Sequence, residues 1–284
     1  MRAEAVAHTV PHDWLRPDWP APAHVHALCT TRNGGVSAPP YDSFNLGRLV
    51  GDDPAAVQAN WAALQAAVSA AGRPVRPVYL CQVHGTTVQP LDAGTPEGGA
   101  ADACTTATPG VACTVMAADC LPVLLTNRAG TRVAAAHAGW RGLAAGVLEE
   151  TLKSFMAQCP MGKAQAAIKN AVAEAPQEVL AWLGPCIGPQ AFEVGAEVRA
   201  AFCDHDPQAS AYFKPQGNAG KWLADLAGLA RQRLRAQGVT ALYGNDGSPA
   251  WCTVGNPSRF FSHRRDSSLL GASGRMAACI WIGA

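Results

Sequence analysis

Short runs of apolar, often β-branched residues alternate with polar segments along this chain and predict a series of buried strands. Several of the runs lead directly into segments that contain a histidine or a cysteine. We therefore expect those side chains to lie at strand ends. The predicted strands are residues 26–30, 78–82, 111–117, 133–136, 179–183 and 276–282.

Apolar residues at helical spacing predict three longer helices between these strands. In the first, Asp53 is the predicted N-cap and Pro54 the first helical residue. Because strands and helices intermix without a regular β-α-β alternation, the pattern indicates a mixed-sheet α+β domain. The predicted helices run from Pro54 to a stop at Gly72, from Gly139 to about Gln158, and from Lys221 to Gln237.

Three stretches fall outside this pattern. Residues 1–23 are rich in Pro and Trp and predict an irregular lead-in to a single catalytic domain at residues 24–284. Residues 159–178 contain few large apolar side chains and predict an exposed insertion. The loop of residues 32–51 is long for a compact domain, and loops of that length are usually functional or disordered.

Composition narrows the class of protein. The 284 residues carry a formal net charge of +1, which gives no extended basic field for nucleic acid. No segment is long and apolar enough to span a membrane, and the N-terminus lacks the pattern of a signal peptide. Ten cysteines without a Cys-x-x-Cys pair are typical of a reducing compartment, so we expect a cytoplasmic protein.

Three short segments carry candidate metal ligands. His84 ends Gln-Val-His, Cys120 follows Ala-Ala-Asp, and His137 precedes Ala-Gly-Trp-Arg-Gly. Two imidazoles and one thiolate suit zinc, and three protein ligands leave a fourth position for water or substrate. That ligand number is typical of a catalytic zinc site, so an enzyme with one zinc per chain is the first hypothesis.

Three other interpretations compete with a zinc enzyme. Cys120 could be a nucleophile with His84 or His137 as its base, although a second imidazole favours metal over such a dyad. A multicopper oxidase needs many His-x-His pairs, and only His24-Val25-His26 has that spacing, so copper is the less favoured metal. A non-catalytic metal-binding protein is disfavoured by the open fourth position.

The same segments resemble the bacterial YfiH-like family. Its members have been labelled multicopper polyphenol oxidases or laccase-domain proteins, then described as zinc-dependent purine nucleoside phosphorylases and linked to peptidoglycan editing. Besides the three metal segments, the likeness is carried by Thr30–Ser37, Asn45-Leu46-Gly47, Gly51–Pro54, Gly184–Pro189, Phe261–Asp266 and Gly274-Arg275-Met276.

The resemblance implies both a fold and an activity. The fold is a single-domain, layered α-β-β-α sandwich with mixed sheets, and His84, Cys120 and His137 match the family's metal positions. The implied activity is phosphorolysis of adenosine, inosine and S-methyl-5'-thioadenosine, with adenosine deamination as a side activity. The alternative is an amidase that edits UDP-MurNAc-amino acid precursors of peptidoglycan. The expected partners are a purine nucleoside and phosphate, and the expected oligomer is a monomer or a weak dimer.

Further site residues come from the segments that carry the resemblance. Guanidinium groups match phosphate oxygens, so arginines are the candidate phosphate binders, with Arg48 and Arg141 preferred. Asp119 is a candidate catalytic residue, either as a carboxylate that orients a histidine ligand or as a general acid or base. Leu49 and His263 depart from the family pattern, where histidine and tyrosine are usual. The candidate substrate-binding residues are Asn45, Arg48, Gln82, Arg141, Arg32 and Arg264.

Overall fold

The computed structural model describes residues 13–70, 74–157, 178–217 and 220–283. Within them the strands are β1 (Val25–Cys29), β2 (Arg76–Val78), β3 (Leu80–Cys81), β4 (Val88–Pro90), β5 (Gly99–Ala100), β6 (Ala103–Thr106), β7 (Val111–Ala117), β8 (Leu121–Asn127), β9 (Val133–Ala138), β10 (Val179–Leu183), β11 (Glu193–Gly195), β12 (Phe213–Pro215), β13 (Lys221–Ala224), β14 (Ala241–Gly244) and β15 (Met276–Ile282). The helices are α1 (Pro54–Ser69), α2 (Trp140–Ala145), α3 (Val147–Ala157), α4 (Ala196–Cys203), α5 (Leu226–Ala236) and α6 (His263–Leu270), with short 3-10 helices at Pro207–Tyr212 and Pro249–Trp251.

Two mixed sheets form the centre of the fold. One has the strand order β1-β15-β7-β2, with β2 parallel to β7 and the other pairs antiparallel. The other has the order β14-β10-β8-β9-β6-β4, with parallel pairs at both edges and antiparallel pairs between them. Smaller sheets, β11-β13-β12 and β3-β5, lie beside them.

Alternation along the strands builds three apolar layers. In β7, Val111, Cys113 and Val115 lie in the core between the two sheets, whereas Ala112 faces the opposite way. Residues of β8, β9 and β10 alternate in the same manner, because successive side chains of a strand point to opposite faces. Each central sheet is therefore buried on both faces.

Helices cover the two outer faces. Helix α1 packs its buried side on the four-stranded sheet, and the Asp53 side chain accepts a hydrogen bond from the Ala55 N–H at its start. Helices α3 and α5 cover the six-stranded sheet and are tied together by an ion pair of 2.6 Å between Glu149 and Arg233. The predicted α+β class and the α-β-β-α layering are confirmed.

Local structure departs from the predicted elements at Tyr79, at Gly146 and at the end of α1. The strand predicted at residues 78–82 is split at Tyr79, because β2 pairs with β7 and β3 pairs with β5. The helix predicted from Gly139 is divided at Gly146, whose φ of 100° is left-handed and ends α2. Helix α1 ends at Ser69, before the stop expected at Gly72, which lies outside the described residues.

The helix predicted from Lys221 to Gln237 is wrong in its first turn. Residues 221–224 form strand β13, which is paired on both sides by β11 and β12. Asp225 then accepts a hydrogen bond from the Gly228 N–H, so the helix begins at Leu226. Sheet pairing and the cap together override the apolar spacing that extends back to Leu223.

Two other sequence expectations concern the periphery. Residues 13–23 form no helix, but Leu15 pairs with Cys29 and Trp14 is buried, so this segment packs on the sheet. The domain boundary at residue 24 stays a prediction. Of the insertion predicted at residues 159–178, residues 159–177 lie outside the described residues. In the described part of the chain, every helix is too short or too polar to cross a membrane.

Candidate functional site

The first candidate ligand, His84, lies in a tight turn after β3. Its φ of 60° is left-handed, a conformation that non-glycine residues adopt only when their surroundings stabilise it. The stabilising group is the carboxylate of Asp102, which accepts hydrogen bonds from the backbone N–H groups of Val83, His84 and Gly85 at 3.2, 2.9 and 2.7 Å. Asp102 therefore holds the turn that presents the His84 ring.

The second ligand, Cys120, lies in the connection between β7 and β8. These strands belong to different sheets, so the chain crosses from one sheet to the other here. Asp119 makes the sharp turn with a left-handed φ of 88°. The turn brings Cys120 Sγ to 3.7 Å from His84 Nε2.

The third ligand, His137, lies inside β9 opposite Pro122 of β8, one residue before the strand ends. Its ring is 4% exposed, and its Nδ1 lies 2.9 Å from Asp102 Oδ1. The hydrogen bond turns the other ring nitrogen, Nε2, away from Asp102 and leaves it to face the neighbouring ligands. One carboxylate thus positions both histidines.

The three ligand atoms lie within 4.8 Å of one another. The rings of His84 and His137 are nearly perpendicular, with centroids 4.9 Å apart. A Cβ at Gly139 would lie 2.7 Å from the His84 ring and 3.0 Å from Cys120 Sγ, so glycine is required for this close approach. The predicted juxtaposition of strand-end ligands is therefore present in the structure.

The charges of the site favour deprotonation of the thiol. Burial alone raises the pKa of Cys120, but the adjacent His137 and His84 imidazoles outweigh it and lower the pKa to about 6. Burial likewise opposes protonation of His137, yet Cys120 and Asp102 raise the pKa of this imidazole to about 9. Hydrogen bonds from His137 and the 83–85 turn outweigh burial and lower the pKa of Asp102.

This donor set fits a metal ion. A thiolate and two imidazoles within reach of one centre match zinc, and a protein with three ligands keeps a further position open. The carboxylate–imidazole contact of Asp102 and His137 is the usual support for a metal-binding histidine. Among the described residues, these three form the one group of three or more His, Cys, Asp or Glu donors close enough to hold an ion.

The ligands open into a cavity of about 580 Å³. One part of its wall is apolar, with Met116, Ile187, Phe192 and Leu226. Four arginines also line the cavity, namely Arg48, Arg141, Arg264 and Arg275. A cavity of this size accommodates a ligand as large as a nucleoside.

Four predicted substrate residues line this cavity. Arg48 pairs with Glu97 at 3.0 Å and stacks on Tyr79, with its guanidinium carbon 4.7 Å from the ring centroid. Arg141 stacks on the neighbouring Trp140 at 4.4 Å. The other two are Arg264, which donates to the Glu193 carbonyl oxygen, and Gln82, whose amide exchanges two hydrogen bonds of 2.7 Å with the backbone of Met116.

Arg32 and Asn45 are not among the residues that line the cavity, and their predicted contact with substrate stays a prediction. Arg32 forms an ion pair of 3.2 Å with Asp42 and donates to the Pro257 carbonyl oxygen, so it ties two loops together. Asn45 is fully buried, accepts from the Gly47 and Arg275 N–H groups and donates to Asp52. Both side chains are engaged by protein groups, and two of the Asn45 partners, Gly47 and Arg275, line the cavity.

The Asp119 carboxylate contacts other groups than the histidine ligands. It accepts hydrogen bonds from Thr253 Oγ1 and from the Arg264 N–H, which anchors the start of α6 to the metal turn. Asp102, and not Asp119, is the carboxylate that orients a histidine ligand. A general acid or base role for Asp119 stays a prediction.

Two residues that sequence reasoning missed belong to the site. Asp102 lies in an apolar stretch between β5 and β6 and is fully buried. An aspartate in such a stretch is itself a signal, because a buried carboxylate must be paired. Arg275 immediately precedes β15 and lines the cavity. Its position in the Gly274-Arg275-Met276 motif was the available clue. The two residues that depart from the family pattern, Leu49 and His263, also line the cavity.

The His24-Val25-His26 pair lies at the opposite end of the sheets. His24 Nε2 contacts the carbonyl oxygen of Gly130, which is in the β8–β9 turn, whereas Cys120 precedes the start of β8. His26 stacks on Trp281 with ring centroids 5.5 Å apart. The His-x-His pair therefore adds no ligand to the site at Cys120.

Fold and site together define an α+β domain with a candidate catalytic metal centre. The chain belongs to the family described as multi-copper polyphenol oxidoreductase laccase, whose model matches residues 26–283. The resemblance to YfiH-like proteins is confirmed by relatives that cover nearly the whole chain.

Two such relatives are named purine nucleoside phosphorylases. The protein YfiH of Escherichia coli strain K12 is 50% identical over 266 residues, which cover 94% of this chain and 97% of that protein. The protein PA4543 of Pseudomonas aeruginosa is 49% identical over 269 residues, which cover 95% and 98% of the two chains. Among solved structures, Neisseria meningitidis protein NMB0706 matches with a TM-score of 0.80 and 46% identity, covering 95% of this chain and 99% of that one.

Proposed function

We propose that this chain is a zinc-dependent purine nucleoside phosphorylase that acts on adenosine, inosine and S-methyl-5'-thioadenosine, with adenosine deamination as a side activity. The observation that carries the proposal is the convergence of His84, Cys120 and His137 on a cavity whose wall is partly apolar and partly cationic. Relatives about half identical over nearly the whole chain bear that name.

Zinc is the proposed metal because of the donors. A multinuclear copper centre needs further histidines near Cys120, and in the described residues the His24 and His26 pair lies at the far end of the sheets. His84, Cys120 and His137 would hold one zinc ion per chain. When bound, zinc supplies a Lewis acid and lowers the pKa of water, which suits hydrolytic deamination of a purine.

The residues of the cavity divide the work of phosphorolysis. The apolar wall at Ile187, Phe192 and Leu226 offers a surface for the flat purine and excludes water from it. The arginines offer donors to phosphate, which must be oriented against the anomeric carbon. Arg48 already has Glu97 as a counter-ion, whereas Arg141 forms no ion pair within the described residues and is therefore the better outer phosphate contact.

The proposal is tested by incubating the zinc-loaded protein with adenosine in the presence and absence of orthophosphate and separating the products. We expect adenine and ribose 1-phosphate only when phosphate is present, and inosine or hypoxanthine as the minor products of deamination. Adenosine that stays intact in phosphate would contradict the proposal. Cleavage of a UDP-MurNAc-amino acid by the same sample would then favour the amidase.

A further inference from the structure

Arg275 occupies a distinctive place in the cavity wall. It directly precedes β15, and its backbone N–H donates to Asn45 Oδ1 at 2.8 Å. A Cβ at Gly47 would lie only 2.9 Å from Arg275 Cγ, so the 45–47 loop packs directly on the stem of this side chain. Arg275 thus has a fixed base and lines the same cavity as the metal ligands.

The hydrogen bonds of Arg275 use only one side of its guanidinium. Nη1 donates to the carbonyl oxygens of Ser273 and Gly274 at 2.8 and 3.0 Å. Within the described residues no carboxylate forms an ion pair with it, and neither Nη2 nor Nε donates to a protein atom. Two adjacent N–H donors of a guanidinium match two oxygens of one phosphate.

Burial makes this arginine different from the others that line the cavity. Arg48, Arg141 and Arg264 are exposed, and Arg48 also has a protein counter-ion, whereas Arg275 is partly buried. Burial lowers the pKa of Arg275, while the nearby Cys120 and Asp119 act in the opposite direction. A partly buried cation without a carboxylate partner is costly unless an anion joins it.

We propose that Arg275 forms the inner wall of an orthophosphate subsite, between the metal ligands and the apolar wall, and binds the attacking phosphate through Nη2 and Nε. The assignment rests on the proposed function and deepens it, since it names the residue that selects phosphate over water as the nucleophile. Arg141, which lines the same cavity, is then the outer contact of the same phosphate.

The reaction that this subsite serves is balanced without any further reactant. An oxygen of phosphate forms a bond to the anomeric carbon of the nucleoside as the bond from that carbon to the purine nitrogen breaks. The electron pair of the broken bond goes to the purine, which takes up the proton that the attacking phosphate loses and leaves as the free base. Ribose 1-phosphate is the other product, and Arg275 stays protonated throughout.

Calorimetric titration of inorganic phosphate into the zinc-loaded protein tests the subsite without relying on turnover. Removal of a charged donor pair in Arg275→Met is expected to weaken phosphate binding by roughly 10- to 100-fold. The KM for phosphate should rise by a similar factor, while the KM for adenosine changes little. The matched control is Arg128→Met, because Arg128 follows the far end of β8 and pairs at the surface with Glu178.

Folding of the variants is checked by zinc content and by the thermal midpoint. Should Arg275→Met fold poorly, Arg275→Gln keeps an amide donor for the Ser273 and Gly274 carbonyl oxygens and removes the charged pair. Phosphate affinity equal to that of wild type in either folded variant would overturn the assignment, even if phosphorolysis itself is found. Weakened phosphate binding in a protein that shows no phosphorolysis would support the subsite and reject the proposed function.

Titration with adenosine 5'-monophosphate separates the two sources of a phosphate group. Since orthophosphate is the proposed occupant, adenosine and its monophosphate should lose equally little affinity in Arg275→Met. A loss confined to the monophosphate, with orthophosphate binding unchanged, would assign Arg275 to a nucleotide phosphate and overturn the orthophosphate subsite.

Discussion

The two ends of the central sheets each present a pair of histidines, and the pairs differ in what surrounds them. At one end, His137 is bonded to a buried carboxylate and lies beside a thiol, and its pKa is raised to about 9. At the other end, burial, Arg16 and His24 lower the pKa of His26, which stacks on Trp281. The same residue type is thus a candidate ligand at one end and a packing residue at the other.

The difference lies in the partners and not in the number of histidines. A buried carboxylate fixes which nitrogen of an imidazole carries the proton, and a low-pKa thiol supplies a charged donor. Asp102 and Cys120 provide both at the first end. At the second end His24 contacts a carbonyl oxygen, a group that binds a proton-bearing nitrogen and supplies no charge.

The largest effect is expected from removing a ligand at the first end. Cys120→Ser and His137→Ala should retain little or no zinc after dialysis, because two remaining ligands cannot complete a tetrahedral site. His26→Ala, the matched change at the second end, should keep one zinc per chain. Metal analysis measures the zinc bound per chain in the three variants. Full zinc occupancy in Cys120→Ser would contradict the proposed difference between the two ends.

Asp102→Asn should have the next largest effect. An amide cannot accept from three backbone N–H groups and His137 at once, so we expect a loss of about 10- to 100-fold in zinc affinity. Loss of the buried carboxylate should also cost about 2–4 kcal/mol in the free energy of unfolding.

The control for Asp102 is Asp92→Asn. Asp92 also accepts hydrogen bonds within a turn, from the Gly94 N–H and Thr95 Oγ1, but it is exposed. Competition with a chelator and denaturant unfolding measure the two effects. Unchanged zinc affinity in Asp102→Asn would show that the carboxylate is not what distinguishes the two ends.

Gly139→Ala should weaken the site by less. The added methyl group would meet the His84 ring and Cys120 Sγ, and overpacking of this kind costs about 1–3 kcal/mol. We expect that cost to appear as lower zinc affinity in chelator competition. Gly217→Ala, where the new Cβ meets nothing within 4 Å, should bind zinc as wild type does. Equal zinc affinities in Gly139→Ala and Gly217→Ala would contradict the close approach of His84 and Cys120 to Gly139.

The smallest effect concerns the pH at which Cys120 reacts in metal-free protein. Because its pKa is lowered to about 6, the thiolate is present above that pH, and alkylation should reach half its maximal rate near pH 6. An ordinary thiol does so about two units higher. Mass spectrometry of iodoacetamide-treated protein follows the rate, and Cys120→Ser should lack the fast phase. A midpoint near pH 8.5 would reject the electrostatic account.

Sequence patterns predicted the bounds of three strands of the central sheets. Strands β7, β10 and β15 have the predicted bounds, because each is an apolar run buried on both faces and limited by a turn. Prediction failed where tertiary partners decide, as at Tyr79, where the chain changes partner strands, and at residues 221–224, where two neighbouring strands override helical spacing.

The cluster of candidate metal ligands was predictable because its three segments are short and distinctive. Asp102 was not, since its contacts with His84 and His137 join residues 18 and 35 positions apart in the sequence. Arg32 and Asn45 were assigned to substrate because they lie in the same motifs as true cavity residues, yet both stabilise loops. A motif identifies the segments of a site and leaves the direction of each side chain to the fold.

The central claim is that one thiolate and two imidazoles at a single end of the sheets hold one zinc ion. X-ray absorption at the metal edges of protein purified without added metal tests this most directly. The account predicts one zinc per chain, with one sulfur and two imidazole nitrogens in its coordination shell and loss of the sulfur in Cys120→Ser. Several copper ions per chain, or a metal without a sulfur ligand in wild type, would contradict it.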